Sequence, residues 1–297
     1  RIVIPCALDE SFEDFLLSNP FNRYMERIDI SVLMAVYKKD NPAFLRESLE
    51  SIFSQTVEAA EVVLLEDGPL TDALYDVIKS FTMRYASLKV VPYPENRGLG
   101  KTLNDGLQLC KYDIIARMDA DDICKPNRFE VEYNWLKTHK DYDLVGSWVD
   151  EFSDDKMVVK TKRKVPEQNE EIKRYAQYRC PVNHPTVMYR KAAVLAAGGY
   201  LTEYFPEDYF LWLRMLKNGS KFYNIQDSLL WFRYSEDTVG KRGGWKYACD
   251  EVRILVKMLK MGFIPFHVFC QSIVIRFTTR VMPLPIRKRL YKLIRKT

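Results

Sequence analysis

Between residues 28 and 119, four short apolar runs alternate with three amphipathic stretches. The runs are "IDISVLMAV", "EVVLLE", "LKVVPY" and "YDIIARMD". Their β-branched, nearly unbroken apolar character predicts strands buried on both faces, the first over residues 28–36. Between the first two lies "NPAFLRESLESIFSQT", with Phe44, Leu45, Leu49, Ile52 and Phe53 at helical spacing and Pro42 near its start. Residues 71–84 and "NRGLGKTLNDGLQLC" read as the next two helices. The order β-α-β-α-β-α-β dictates a mostly parallel sheet flanked by helices, an α/β architecture. Ligands of such sheets gather beyond the carboxyl ends of the strands. Each run here ends on polar residues: 35–37, 66–68, 96–98 and 119–122. All four ends are expected on one edge.

The second half is less regular. "DLVGSWVDEF" and "MVVKTKRKV" read as strands able to pair, residues 167–178 as a helix, and "NHPTVMYRK" as a strand. "KAAVLAAGGY" reads as a helix ended by glycine, and "EDYFLWLRMLKNG" as a helix capped by Asn218 and Gly219. "SLLWFRYS" reads as a strand and residues 245–261 as a helix. "FHVFCQSIVIRFTTRVM" and "PIRKRLYKLIRKT" read as two amphipathic helices. Arg276 and Arg280, four apart, share a face of the first. Central arginines disfavour a membrane-spanning helix.

Charge is distributed unevenly. Residues 241–297 hold 14 Lys and Arg against two acids, so the net charge of +5 divides into +12 there and −7 before it. A local basic extension suggests a local anionic partner. Interfacial helices on an anionic membrane surface fit it, and so does a helical subdomain with a solvated basic face. The acidic first 240 residues and the lack of a nucleic-acid-binding motif argue against nucleic acid. The six cysteines are scattered with no CxxC pair, which fits a reducing compartment. Residues 1–27 are irregular, show no signal-peptide pattern, and are read as an extension.

Two acidic motifs carry the chemistry. In "ARMDADD", Asp119 and Asp121 follow an apolar strand with one residue between them. That spacing lets two hard oxygen ligands converge on Mg2+ or Mn2+, with a diphosphate completing the shell. Capping by Asp121 or Asp122 is the plainer alternative. Arg117 is expected on the opposite strand face. In "PEDYFLW", Glu207 and Asp208 open a helix, where the dipole favours acids regardless of chemistry. "LLEDGP" alone reads as a turn. "NRGLGKTLN" matches neither a Walker A nor a dinucleotide loop.

"ISVLMAVYKKD", "LLEDGP", "ENRGLGKTLNDGL", "ARMDADD" and "FPEDYFLWLRML", in this order, resemble glycosyltransferase family 2, inverting enzymes of the GT-A fold. The likeness covers roughly residues 28–235. "FRYSEDTVGKRGGWKY" resembles the bacterial capsule, exopolysaccharide and O-antigen branch. The resemblance implies a GT-A catalytic domain over residues 28–240, divided into a nucleotide-binding half (28–122) and an acceptor half (123–240), followed by a basic membrane-associating extension (241–297). It implies a nucleobase pocket from Ala35, Tyr37 and Asp67, with Glu66 where an aspartate is usual. Arg97 and Lys101 would touch the base or phosphates, Asp119 the ribose or sugar, and Asp121 the metal, with Asp119 beside it. Asp208 would be the general base, with Glu207 as its neighbour. Lys241 and Arg242 would close on the diphosphate. His184 is read as structural or acceptor-facing, because the family's usual histidine metal ligand has no counterpart between 185 and 266. Trp212 would stack on a sugar or fill the core.

The implied reaction moves a sugar from a nucleotide donor, a UDP-sugar first, to a hydroxyl of a polyprenyl-diphosphate-linked saccharide. Its place would be the cytoplasmic face of the plasma membrane, as a peripheral protein. A sugar nucleotidyltransferase would instead carry a glycine- and arginine-rich first loop, where "AVYKKDNP" stands. A catalytically inactive membrane scaffold of the same fold would have no use for Asp119, Asp121 and Asp208.

Overall fold

A computed structural model describes residues 25–201, 206–234 and 244–283, with Ile286 and Arg289. Lys241, Arg242, most of "PIRKRLYKLIRKT" and residues 1–24 lie outside the described residues.

The chain runs β1 (Arg27–Val36), α1 (Pro42–Phe53), β2 (Glu58–Glu66), α2 (Asp72–Thr82), β3 (Leu88–Pro92), α3 (Leu99–Leu109), β4 (Ile114–Met118), β5 (Ile123–Cys124), α4 (Arg128–Thr138), β6 (Leu144–Phe152) and β7 (Thr161–Arg163). It continues through α5 (Asn169–Tyr175), a 3-10 turn (His184–Thr186), β8 (Met188–Arg190), α6 (Lys191–Ala196), α7 (Glu207–Lys217), β9 (Phe222–Arg233), α8 (Trp245–Lys260) and α9 (Phe266–Val281). Nine strands form one sheet in the order β3-β2-β1-β4-β8-β6-β9-β5, with β7 paired to β6.

The first four strands are parallel, with Val36 opposite Glu66, Glu66 opposite Pro92, and Met34 opposite Met118. All four carboxyl ends therefore meet at one edge, as their sequence pattern requires. Alternation along β1 and β2 explains the layers. Leu33, Val63 and Leu65 face α3, α7 and the C-terminal helices, whereas Val32, Met34, Val62 and Leu64 face α1 and α2. α1 begins where the Asn41 side chain accepts from the Ala43 N–H at 2.9 Å and Pro42 fixes the first helical φ.

β5 spans only two residues, paired to β9 as Ile123 with Trp231 and Cys124 with Leu230. The sequence predicted one strand from "NHPTVMYRK"; a 3-10 turn occupies its start and only Met188–Arg190 is strand. The expected pairing of "DLVGSWVDEF" with "MVVKTKRKV" is present, but through Thr161–Arg163 alone. Ile254, Leu255, Met258, Ile264 and Val268 of the basic extension join the same core as Leu33 and Trp212. Its described part, α8 and α9, thus packs onto the domain.

Candidate active site

The edge where β1, β2 and the β3–α3 turn meet is built around Asp67. Its carboxylate accepts from Arg97 N (2.7 Å, Oδ1), from Gly98 N (3.1 Å, Oδ2) and from the Asn96 side chain (3.0 Å, Oδ2). One acceptor position is left on Oδ1. Most of the hydrogen-bonding capacity that the sequence reading gave to a nucleobase is spent on holding the 96–98 turn. Gly68 makes this approach possible. Its φ is +85°, and a Cβ there would lie 2.6 Å from Asn96 N. Glu66 beside it is buried, and that burial raises its pKa. Tyr37 stands exposed at the end of β1 and Ala35 is half-buried. The Arg97 guanidinium sits 3.6 Å above the Tyr93 ring and pairs with Asp105 at 2.7 Å. Lys101 is exposed on the first turn of α3.

The aspartates lie at the end of β4. Ligand oxygens of Asp119, Asp121 and Asp122 fall within 4.8 Å of one another. The backbone carbonyl of Asp119 accepts from Ser48 Oγ of α1 at 2.9 Å. Asp122 is buried; one oxygen accepts from Arg233 N at 2.8 Å and the other has no partner. Burial, then Asp119, raises Asp121 to about 6, and burial, then Asp121 and Asp119, holds Asp122 well above the usual carboxylate range. Three crowded carboxylates, one with an unsatisfied buried oxygen, are the donor set a hard divalent cation takes.

Three further residues complete this cluster, none of which had a role in the sequence reading. Asp40, after β1, accepts from Tyr37 N at 2.9 Å; burial, with Asp121 and Asp119 adding to it, lifts its carboxyl to about 7. Arg233, at the end of β9, donates from Nε to Asp121 O at 2.9 Å and pairs with Glu47. Its guanidinium stacks 3.9 Å from Phe44. Arg117 corrects an expectation. It does not point away from the aspartates; it is 1% exposed and paired directly with Asp119. Residues 117 and 119 are two apart, which puts them on the same side of an extended chain.

Arg117 also links the aspartates to α7. Burial, then Asp208, raises Glu207 to about 7; Arg117 lowers it and Asp119 raises it. Beside Glu207, Asp208 takes a long contact from Cys180 Sγ at 3.9 Å. Both acids occupy the first turn of α7, after Pro206. Buried Arg117 thus pairs with Asp119 of the aspartate cluster and also lowers the pKa of Glu207 at the start of α7.

Two expected acceptor residues lie inside the protein instead. Trp212 is fully buried, with Tyr189, Phe222 and His184 rings around it, so it is core and no sugar platform. Its position five residues into an apolar helix allows nothing else. The His184 ring nitrogen Nε2 meets the Tyr200 hydroxyl at 3.0 Å. Burial, then Arg117, keeps the imidazole neutral. Of its two readings, the structural one fits.

The Glycosyl transferase family 2 model matches residues 31–198. The chain is 40% identical over 265 residues to the UDP-Gal:alpha-D-GlcNAc-diphosphoundecaprenol beta-1,3-galactosyltransferase of Escherichia coli, covering 88% of this chain and 94% of that one. Residues 1–349 of S. aureus TarS, solved with UDP-GlcNAc, superpose with TM-score 0.65 at 18% identity, over 86% of this chain and 74% of that one. The mannosyltransferase PcManGT of Pyrobaculum calidifontis, solved with GDP-Man and Mn2+, gives TM-score 0.60 at 16% identity, over 90% and 75%.

Proposed function

The chain belongs to glycosyltransferase family 2, and from that premise we propose that it is an inverting hexosyltransferase. It moves a sugar from a UDP-sugar to a hydroxyl of a saccharide carried on a polyprenyl diphosphate, in the synthesis of a bacterial surface polysaccharide. The observation that carries this reading is the meeting, across Arg117, of the aspartate cluster with the acids of α7. The Escherichia coli relative's UDP-Gal donor and diphosphoundecaprenol acceptor support the two substrate classes.

Asp121, with Asp119 and Asp122 beside it, would hold Mn2+ or Mg2+; the structural relative with Mn2+ has the same fold. When bound, such a cation offsets the charge that develops on the departing diphosphate. The protein's own residues do the rest. Ala35, Tyr37 and Glu66, with the free acceptor position on Asp67, frame the base. Arg97 and Lys101 flank the phosphates, and Lys241 and Arg242 join them. Asp208 takes the proton of the acceptor hydroxyl. Glu207 holds its proton up to about pH 7, because burial and then the neighbouring Asp208 disfavour its charged form. It therefore offers the acceptor a hydrogen-bond donor as well. Base and leaving group must lie on opposite sides of the anomeric carbon, so a single displacement inverts it. The basic C-terminal region places the enzyme peripherally on the cytoplasmic face of the membrane that carries the acceptor.

The test is a panel of nucleotide sugars scored for donor hydrolysis and thermal shift, with Mn2+ and with EDTA. The expected result is a metal-dependent response to one UDP-sugar, lost in Asp121→Ala. A folded protein that answers to no nucleotide sugar, with or without lipid acceptor, overturns the reading.

A further inference from the structure

α9 packs Val268, with Phe269 and Ile273, on the core, but its C-terminal half turns arginines inward. Arg276 and Arg280, one turn apart, share a face as the sequence predicted, but that face turns into the protein. Arg276 Nη2 donates to Tyr178 O at 2.6 Å and to the Tyr209 hydroxyl at 3.3 Å. Arg280 grips Glu251 of α8 with two bonds, 2.9 Å from Nε and 2.8 Å from Nη2. The opposite face of the C-terminal half presents Val274 and Ile275, 63% and 55% exposed, with Val281 two turns beyond Val274 and the exposed Thr278 between them. Trp245, at the start of α8 and 69% exposed, lies edge-on to Phe277 at 5.3 Å and widens this strip; Ile286 continues it. His267 and Gln271 share the exposed side nearer the start of the helix.

A helix facing water puts its charges out and its apolar residues in. In the C-terminal half of α9 Arg276 and Arg280 point inward while Val274 and Ile275 are exposed, and this arrangement is fixed. Rolling α9 over would break four hydrogen bonds to Arg276 and Arg280 and leave Glu251, which is buried, without its partner. The apolar strip is therefore held outward for something to cover it.

Charge decides what covers it. Residues 287–297 add six Lys and Arg and no acid directly beyond the strip. Lys246, Arg253, Lys257 and Lys260 are exposed along α8. A second copy of the chain would bring the same positive charge to the same place. An anionic bilayer supplies both the opposite charge and an apolar layer deep enough for valine, isoleucine and tryptophan.

We propose that the outward face of α8 and α9, formed by Trp245, Val274, Ile275 and Val281, is the surface that lies on an anionic membrane. The clamp on its inner side sets the active site against that membrane. Tyr209, reached by Arg276, directly follows Asp208 in α7, and Tyr178 lies two residues before Cys180, which touches Asp208. The acceptor side of the site is thus braced on the docking helix, where a lipid-linked hydroxyl arrives. This deepens the lipid-linked acceptor reading above and rests on it.

The experiment compares the full chain with Val274→Ser/Ile275→Ser/Val281→Ser. Flotation is measured with phosphatidylglycerol-containing vesicles and with phosphatidylcholine vesicles, alongside donor hydrolysis and sedimentation. The wild type is expected to float with the anionic vesicles only. The variant should lose about tenfold in partitioning, with unchanged melting temperature and unchanged donor hydrolysis. Equal flotation of variant and wild type overturns the proposal. So does a wild-type dimer that the variant converts to monomer, because the face would then be a self-interface. Vesicle binding lost in the variant, in a protein that hydrolyses no nucleotide sugar, supports the docking surface and removes the glycosyl-transfer reading instead.

Discussion

Glu207 and Asp208 are neighbours in one helical turn, yet their surroundings divide their work. Glu207 feels Arg117 and Asp119 and carries a pKa near 7, while Asp208 meets Cys180. If Asp208 removes the acceptor proton, Asp208→Asn lowers kcat by about 10²–10⁴-fold. The donor-induced thermal shift stays as in the wild type, because the donor's contacts lie on the other side of Arg117. Glu207→Gln keeps a hydrogen-bond donor in place and should cost much less. Single-turnover rates with saturating donor decide between them, and a larger loss for Glu207→Gln would move the base to that residue. The motif located this pair and the family resemblance named Asp208 as the base, but the sequence did not show that Arg117 and Asp119, far along the chain at the end of β4, shape the surroundings of Glu207. Asp40 and Arg233 were hidden for the same reason. Arg233 reaches Asp121 and Asp122 from 111 or more residues away, and nothing local marks it. Trp212 had two readings, a sugar platform or a core residue, and its complete burial among aromatic rings selects the second.

At the scale of elements, β1, β2 and β4 were legible because burial on both faces writes itself as unbroken apolar sequence, whereas β3, expected to be buried likewise, is the sheet's edge strand with only Leu88 buried. β5 was not, since two residues paired to Trp231 and Leu230 leave no periodicity to read. The turns between strands and helices fall between these cases. Gly68 was visible as part of a turn, but its need to be glycine was not. Both its φ of +85° and the closeness of Asn96 forbid a side chain. Gly219, at φ +91° with nothing within 4 Å, has only the first problem. The two substitutions to alanine therefore separate strain from displacement. Each costs about 1–2 kcal/mol for the left-handed backbone. Gly68→Ala must also push the 96–98 turn off Asp67, and it should raise the donor KM by roughly tenfold, about 1.4 kcal/mol. Gly219→Ala should lower the melting temperature and leave KM alone. Steady-state kinetics on both variants check this; equal KM values would mean that the turn moves without disturbing the donor.

For the whole molecule, the segregation of charge implies a stability that depends on pH in an unusual direction. Asp40 and Glu207 titrate at about 7 and Asp121 at about 6, while Asp122 is raised well above 3.8, all at one edge of the sheet. Burial is the first cause in every case, and like charge adds to it. Unfolded, these groups would lose their protons near 3.8 for Asp and 4.5 for Glu. Between those values and about 7 the folded chain therefore binds more protons than the unfolded chain. These groups make stability fall as pH rises, and their penalty is complete once the folded-state values are passed; His184, buried and kept neutral, works the other way below about 6.5, its ordinary value. A divalent cation at the aspartates reverses that penalty by supplying the missing positive charge, and it does so most where the carboxylates are fully ionised. In EDTA, melting temperature should thus decline from about pH 5 to about pH 8. The rise produced by Mn2+ should be larger at the upper pH than at the lower. Asp121→Asn removes one of the repelling charges and one ligand together, so it should flatten the EDTA profile and abolish most of the Mn2+ shift. Scanning fluorimetry of both proteins at the two pH values is sufficient. A melting temperature that rises with pH in EDTA would mean that Arg117 and Arg233 already neutralise the cluster, and that the protein has no call on a cation there.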